Sequence, residues 1–217
     1  MIKLERTSVM NFENAMRGAR NPLNSWAKSD SYYNENGDYI LGENDLGLAR
    51  RLAKAGSDHR KYLRQIFVSV DITAPLYWWK EYDTYKMGTV ANSCSTMHKI
   101  QSKPIEVSDF SFDFDTDNLE LHESGWSTHE AFEGVVKDCE LMRQKFIETN
   151  DKRYWRALIQ TLPESYNQMR TCTLNYENLI NIYHARKNHK LSEWHTLCDW
   201  IKQLPYFQEI VLEGENN

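Results

Sequence analysis

Residues 77–100 contain several side chains that could act together in catalysis or in ligand binding. This stretch, YWWKEYDTYKMGTVANSCSTMHKI, mixes lysine, tyrosine, cysteine and histidine with two tryptophans. Such side chains can act as nucleophiles, as general acids and bases, and as charges that hold an anion. We interpret the stretch as too polar for a core and as a candidate ligand site. The alternative is a tryptophan-rich packing turn whose lysine and glutamate side chains are solvated.

The residues before and within this stretch predict how its side chains are positioned. From Ile66 to Pro75, apolar and polar residues alternate, which predicts a half-buried strand. Pro75 ends that strand because proline has no N–H for the ladder. A short helix around Leu76–Tyr85 and a loop from Gly88 through Thr96 are then expected. A strand that leads into a short helix and a polar loop is a common way to build a ligand site.

Charge and composition exclude several classes of protein. The 217 residues include 26 Lys and Arg against 31 Asp and Glu, a net charge of −5, so nonspecific nucleic-acid binding is not expected. The chain has no run of 18 apolar residues and no apolar segment typical of a signal peptide at its start, so we expect a cytoplasmic protein without a membrane partner.

The cysteines are widely spaced and form no C-x-x-C, which favours reduced thiols over a disulfide framework or a metal site. They are Cys94, Cys139, Cys172 and Cys198.

Hydrophobic periodicity predicts mainly helices along the rest of the chain. The predicted helices are 11–20, 45–55, 128–149, 151–161, 169–187 and 192–204, with a loop or lid over 21–44 and a frayed tail over 212–217. Alternation of Phe110, Phe112 and Phe114 predicts one more strand, with an acidic face. The aspartates that follow resemble the start of a calcium loop but lack its glycine and glutamate, so no metal is expected. We therefore predict an α+β fold in a single domain over residues 1–217, with a mixed or antiparallel sheet packed with helices.

Five short motifs occur in an order and spacing that resemble the flavin-dependent thymidylate synthases, from about residue 15 to residue 195. They are A-x-R-x-A-R at 15–20, A-K-x-G at 53–56 followed by His59, Arg64-Gln65 ahead of a strand that ends in Ala74-Pro75, Leu162-Pro163, and N-x-x-x-L-x-N-x-x-x-x-R from Asn175 to Arg186. The resemblance implies the fold of that family.

The resemblance also implies roles for residues outside the central stretch. Asn175 and Asn181 would face a flavin, and His59 would be a further cofactor-binding residue. Arg186 would bind the phosphate of a dUMP-like nucleotide, a task that suits a guanidinium. The family uses FAD, NADPH and methylenetetrahydrofolate, and it assembles its active site between subunits, so the resemblance implies these cofactors and a homotetramer.

Within the central stretch the chain departs from the family's R-H-R-x-x-S signature. In register it has Tyr85, Lys86 and Thr89 at the positions of the histidine, the second arginine and the serine, and Lys80-Glu81 replaces an upstream arginine-glutamine pair. The resemblance then places Tyr85 among the catalytic residues, Lys86 and Thr89 against the cofactor, and Lys80 and Glu81 against the substrate. Because lysine supplies a point charge but no planar fork, we expect a dianionic ligand to bind more weakly here than at arginines.

Cys94 is the candidate nucleophile. It stands at the second serine position of the family signature, next to where the pyrimidine would lie. A thiolate there could attack the pyrimidine ring if Lys86, His98 or Lys99 lowered the pKa of the thiol. The alternative is a small buried cysteine that only packs.

The leading functional prediction is a flavin-dependent thymidylate-synthase-like methyltransferase that converts dUMP to dTMP. One alternative is an enzyme on the same fold that modifies another pyrimidine nucleotide without flavin. The other is a non-catalytic protein that binds a nucleotide or a partner on the same scaffold.

Overall fold

A computed structural model describes residues 2–112 and 127–213 of the chain. The contacts cluster in two compact units. The first unit contains described residues within Thr73–Thr84 and Asn92–Arg170, and the second contains those within Ile2–Ile72, Tyr85–Ala91 and Thr171–Asn217.

The secondary structure confirms the predicted α+β class. The strands are β1 (Lys3–Met10), β2 (Tyr32–Tyr33), β3 (Tyr39–Ile40), β4 (Phe67–Pro75), β5 (Val90–Ser93) and β6 (Asn167–Asn175). The helices are α1 (Phe12–Arg20), α2 (Glu43–Lys54), α3 (Leu76–Tyr82), α4 (Thr96–Lys99), α5 (Thr128–Thr149), α6 (Lys152–Thr161), α7 (Tyr176–Arg186) and α8 (Ser192–Lys202). The longer strands form one sheet in the order β1-β4-β6-β5, and β2 pairs antiparallel with β3. Because the contacts divide the described residues into two units, the single domain over residues 1–217 stays a prediction.

Strand β4 confirms the strand predicted from alternation. Val68, Val70, Ile72 and Ala74 are all buried, while the residues between them are more exposed. Helix α5 has the predicted bounds, and α1, α2, α6 and α8 agree with their predictions to within about two residues. Strong periodicity over a long segment was therefore sufficient to place these elements.

The helix predicted over residues 169–187 is wrong in its first part. Strand β6 continues to Asn175, and α7 begins only at Tyr176. Asn175 caps α7, because its side chain accepts a hydrogen bond from the N–H of Asn178 at 3.0 Å. Asparagine favours the N-cap over the helix interior, and the β-branched Thr171 and Thr173 favour a strand. The strand and the helix thus meet at Asn175.

The aromatic residues of the central stretch are core residues, which corrects the view that this stretch is too polar for a core. Trp78, Trp79 and Tyr82 are 0%, 1% and 3% exposed. Trp79 donates its ring N–H to the carbonyl of Gln168 at 2.9 Å. Helix α3 is therefore amphipathic, with its rings buried and Lys80 exposed, as the packing alternative predicted for this part of the stretch.

Two more predictions need correction around residues 88–112. The predicted loop from Gly88 through Thr96 contains strand β5 and leads into α4. Of the strand predicted from Phe110, the described part as far as Phe112 has only an antiparallel bridge between Phe110 and Tyr166, which follows a 3₁₀ turn over Val107–Asp109. Phe114, the aspartates of the calcium-like pattern, and residues 214–217 of the predicted frayed tail lie outside the described residues.

The segment predicted as a loop or lid over 21–44 is anchored at a buried carboxylate. Asp45 is 0% exposed and accepts hydrogen bonds from Arg20 Nε, Ser29 Oγ and Ser31 Oγ, each at 2.6 Å. In sequence, the hairpin of β2 and β3 lies between Ser31 and α2. The buried carboxylate connects the end of α1, through Arg20, and the middle of the segment, through Ser29 and Ser31, to the first turn of α2.

Candidate functional site

The loop that connects Tyr85 to Ala91 lies against the start of α7 in the second unit. Gly88 has a φ of +74°, a conformation that favours glycine. A Cβ at this position would lie 3.1 Å from Asn178 Oδ1 and 3.2 Å from Asn175 Nδ2. The Thr89 hydroxyl donates to the carbonyl of Tyr85 and closes the turn. Gly88 therefore allows the backbone of the loop to approach α7 closely.

Asn175 and Asn178 connect this loop to the helix. They form a reciprocal capping box, in which each side-chain oxygen accepts the other residue's backbone N–H. Asn178 Nδ2 also donates to the carbonyl of Met87 at 2.7 Å. Asn175 is only 9% exposed, whereas Asn181 is exposed on the same helix. Sequence reasoning did not select Asn178 as a site residue, although a second Asn three positions after a capping Asn is a readable signal.

Arg186 and Tyr85, which are 101 residues apart in sequence, are in direct contact. Arg186 Nε donates to the Tyr85 hydroxyl at 2.8 Å. The guanidinium carbon lies 4.5 Å from the centre of the Trp194 ring and 5.5 Å from that of Tyr85. Stacking of this kind orients the planar guanidinium. The structure thus brings together two predicted site residues, and it adds Trp194, which lies in the helix predicted over 192–204.

The remaining predicted residues of the second unit lie at its surface. Lys86 is exposed and Thr89 is half-buried on the loop. His59 is exposed at a cleft of about 690 Å³, a size typical of cofactor sites. The described residues that line the cleft come from α1, the turn after it, α2 and the segment before β4. They are Gly18, Ala19, Asn21, Pro22, Leu23, Ser25, Leu48, Leu52, Asp58, His59, Lys61, Tyr62 and Gln65.

Three predicted site residues belong to the first unit. Lys80 forms an ion pair with Glu164 in which both side chains are largely exposed. Such pairs contribute little to stability, so Lys80 is available to a ligand at small cost. Glu81 is half-buried at the end of α3.

Cys94 follows β5 and is exposed, which contradicts the alternative of a buried packing cysteine. Its backbone is fixed, because its N–H donates to Met169 and its carbonyl accepts from Gln168 Nε2. It lines a cavity of about 220 Å³ in the first unit together with Ser95, Lys99 and other residues. An exposed thiol is accessible to an electrophile, as a nucleophile must be.

In the folded protein, iodoacetamide should label Cys94 faster than the other three cysteines. Cys139, Cys172 and Cys198 are buried, and burial raises the pKa of the Cys139 and Cys198 thiols to about 11. Mass spectrometry of peptides from briefly labelled protein measures this order, and labelling after denaturation provides the control. Slower labelling of Cys94 than of any buried cysteine would contradict the described exposure.

Faster labelling follows from exposure alone, so the nucleophile hypothesis needs a separate test. If Cys94 attacks the pyrimidine, Cys94→Ser should lose turnover and keep dUMP affinity. Retained turnover would remove Cys94 from the catalytic residues.

No protein-family model and no curated protein matches the chain. Among solved structures it is similar to Thymidylate Synthase X (ThyX) from Helicobacter pylori with FAD and dUMP, with a TM-score of 0.67 and 16% identity over 98% of this chain and 97% of that one. A structure of the flavin-dependent thymidylate synthase ThyX from the same organism, complexed with FAD and dUMP, gives a TM-score of 0.63 and 18% identity over the same shares. The chain therefore has a ThyX-like fold over nearly its whole length, which confirms the fold implied by the motifs.

The described residues show neither a membrane-spanning helix nor a cluster of metal-ligating side chains. None of the helices in this part of the chain is long and apolar enough to cross a membrane. Within the same residues, no group of three or more His, Cys, Asp or Glu side chains is placed to hold a metal ion.

Proposed function

We propose that this chain is a thymidylate-synthase-like enzyme that binds a uracil nucleotide and converts dUMP to dTMP. The observation that carries the proposal is the contact of Arg186 with Tyr85 and Trp194 on a ThyX-like fold. A guanidinium held between an aromatic hydroxyl and a ring face is oriented to donate hydrogen bonds to a phosphate. The similar structures contain dUMP and FAD, which makes this nucleotide the first ligand to test.

The side chains of the loop complete the proposed nucleotide site. Tyr85 carries a flat ring that can stack on a pyrimidine and a hydroxyl that already bonds to Arg186. Lys86 adds a mobile positive charge at the surface. By the family resemblance we also propose Lys80 and Glu81 as substrate-binding residues and Cys94 as the nucleophile.

The cleft at His59 fits a flavin. Its volume of about 690 Å³ suits an extended ring system, and its walls combine leucines and a tyrosine with Asp58, His59 and Lys61 at polar positions. We propose that His59 holds FAD at this cleft. We also propose Lys86, Thr89, Asn175 and Asn181 as cofactor-binding residues, on the family resemblance alone, since none of them lines the cleft. FAD would supply redox chemistry, with NADPH as reductant and methylenetetrahydrofolate as one-carbon donor.

A specific observation favours a second candidate, an enzyme on the same fold that modifies a pyrimidine nucleotide without flavin. The oxygens of Asn175 and Asn178 are used by the helix cap, and the Asn178 amide donates to the carbonyl of Met87. Asn178 therefore supports the loop, and the small exposed fraction of Asn175 limits the surface that Asn175 offers to a cofactor.

The absorption spectrum of protein purified without added cofactor separates these candidates. A flavin spectrum supports the first. Colourless protein that FAD does not stabilise, but that dUMP or dCMP does, supports the second. A ligand that binds only the folded state at 100 times its Kd should add about 2.7 kcal/mol to the free energy of unfolding. No stabilisation by any nucleotide would overturn both and leave the non-catalytic interaction protein.

We also propose a homotetramer, as in the family that the motifs resemble. Light scattering coupled to size-exclusion chromatography measures the mass directly, and a monomer at working concentration would contradict this.

A further inference from the structure

Asn178 uses both ends of its side-chain amide. Its Oδ1 accepts from the N–H of Asn175 at 3.1 Å, which caps α7, and its Nδ2 donates to the carbonyl of Met87 at 2.7 Å, which holds the loop. The residue is partly buried, so the surrounding water competes only in part for these bonds. One side chain therefore connects the start of the helix to the middle of the loop.

The loop can be held in this way because of its own geometry. Gly88 presents no side chain where a Cβ would lie 3.1 Å from Asn178 Oδ1. The internal bond from Thr89 to Tyr85 keeps the turn closed. The bond from Arg186 to Tyr85 attaches the start of the loop to the end of α7, while Asn178 attaches its middle to the start of α7.

We infer that Asn178 is a positioning residue, which fixes the loop that carries Tyr85, Lys86 and Thr89 so that these side chains meet the nucleotide held by Arg186. The inference rests on the proposed function. Asn178 need not touch the nucleotide, because its effect passes through the carbonyl of Met87 and the backbone of the loop.

Two substitutions separate the capping role of Asn178 from its role in holding the loop. In Asn178→Asp the carboxylate still accepts from the N–H of Asn175, and a negative charge in the first turn suits the helix dipole. The carboxylate cannot donate to the carbonyl of Met87 and is repelled by it. Asn178→Ala loses both bonds. Asn188→Asp makes the same charge change at an exposed position after α7 and serves as the matched control.

For Asn178→Asp we expect a thermal midpoint near that of the wild type, and for Asn178→Ala a lower one. Both variants should show faster amide hydrogen exchange at residues 86–90 and about tenfold weaker dUMP binding, the factor that corresponds to one neutral hydrogen bond. Asn188→Asp should match the wild type in all three measurements. Weaker binding without a lower midpoint in Asn178→Asp is the result that a purely structural role would not give.

Each other outcome overturns a defined part of the inference. Unchanged exchange at residues 86–90 in both variants would show that Asn178 does not hold the loop. Faster exchange with unchanged dUMP affinity would show that the loop is held for another purpose. Failure of the wild-type protein to bind dUMP would overturn the proposed function itself, while the exchange data would still decide whether Asn178 holds the loop.

Discussion

Replacing Arg186 with alanine should weaken dUMP binding by about ten- to a hundredfold while the protein stays folded. A hydrogen bond to a charged group contributes about 1.5–3 kcal/mol, which corresponds to that range of affinity. Arg186 is only partly buried, and Trp194 beneath it is already 0% exposed as part of the core. Isothermal titration with dUMP measures the loss, and a thermal melt reports the fold.

Lys187→Ala is the matched control for this prediction. Lys187 is the next residue, is exposed, and carries the same charge, with its amine 5.7 Å from the centre of the Tyr183 ring. The Lys187→Ala variant should bind dUMP with an affinity within about twofold of the wild type, because water and salt screen the charge of an exposed side chain. Arg186→Lys keeps the charge but loses the planar fork, so its affinity should fall between those of the wild type and the alanine variant.

Two results would contradict the role given to Arg186. If Arg186→Ala and Arg186→Lys both unfold the protein, Arg186 is a structural residue of the cluster with Tyr85 and Trp194. If Arg186→Ala folds and binds dUMP as the wild type does, the phosphate lies elsewhere.

The sequence located Arg186 although it misplaced the start of its helix. The spacing from Asn175 to Arg186 is a property of one helix and its cap, so it survives the replacement of residues 169–175 by a strand. Trp194 was missed as a site residue because periodicity reports only that a side chain faces inward. Its contact with Arg186 depends on how α8 packs against α7, which no local pattern encodes.

The burial of α3 was not predicted either, because the prediction for this stretch rested on composition. Composition suggested a polar site, but the helical period separates Trp78, Trp79 and Tyr82 from Lys80 and Glu81 on the surface of the helix. Composition alone does not distinguish the two faces of the helix, whereas the spacing of its hydrophobic residues does. The correct strand β4 and helix α5 were both read from periodicity.

The ion pair of Arg20 and Asp45 could not be predicted from the sequence. Each residue was assigned to a helix, but the 24 residues between them carry no period that specifies how the two helices meet. The serines that complete the hub lie in the segment predicted as a loop or lid. Such a polar hub depends on how the helices pack in the folded protein. Because its charges are buried, removal of one of them should lower the free energy of unfolding strongly.

Asp45→Asn should be the most destabilising of the substitutions considered, by about 3–5 kcal/mol, because it leaves a buried guanidinium without its counter-charge. Arg20 and Asp45 are 5% and 0% exposed, so solvent cannot replace the lost partner. Denaturant unfolding measures the change. Glu43→Gln removes the same charge from an exposed position two residues earlier and should cost less than about 1 kcal/mol.

A double-mutant cycle with Arg20→Met tests whether the two charges act as a pair. Removal of both should cost clearly less than the sum of the single losses, since no unpaired buried charge then remains. Additive losses would show that the bonds from Ser29 and Ser31, rather than the pair, account for the effect.

The acid stability of the protein should depend on the same carboxylate. Burial by itself would raise the pKa of Asp45, but hydrogen bonds from Ser29, Ser31 and Arg20, together with the charge of Arg20, outweigh it and hold the pKa below its ordinary value of 3.8. A carboxyl whose pKa is lower in the folded state stabilises the fold fully above its unfolded pKa, and this contribution is lost as the pH falls through the folded value. The difference in unfolding free energy between wild type and Asp45→Asn should therefore be constant near neutral pH and shrink below about pH 4. A difference that stays constant down to pH 2 would mean that Asp45 does not titrate in this range and that the loss comes from packing alone.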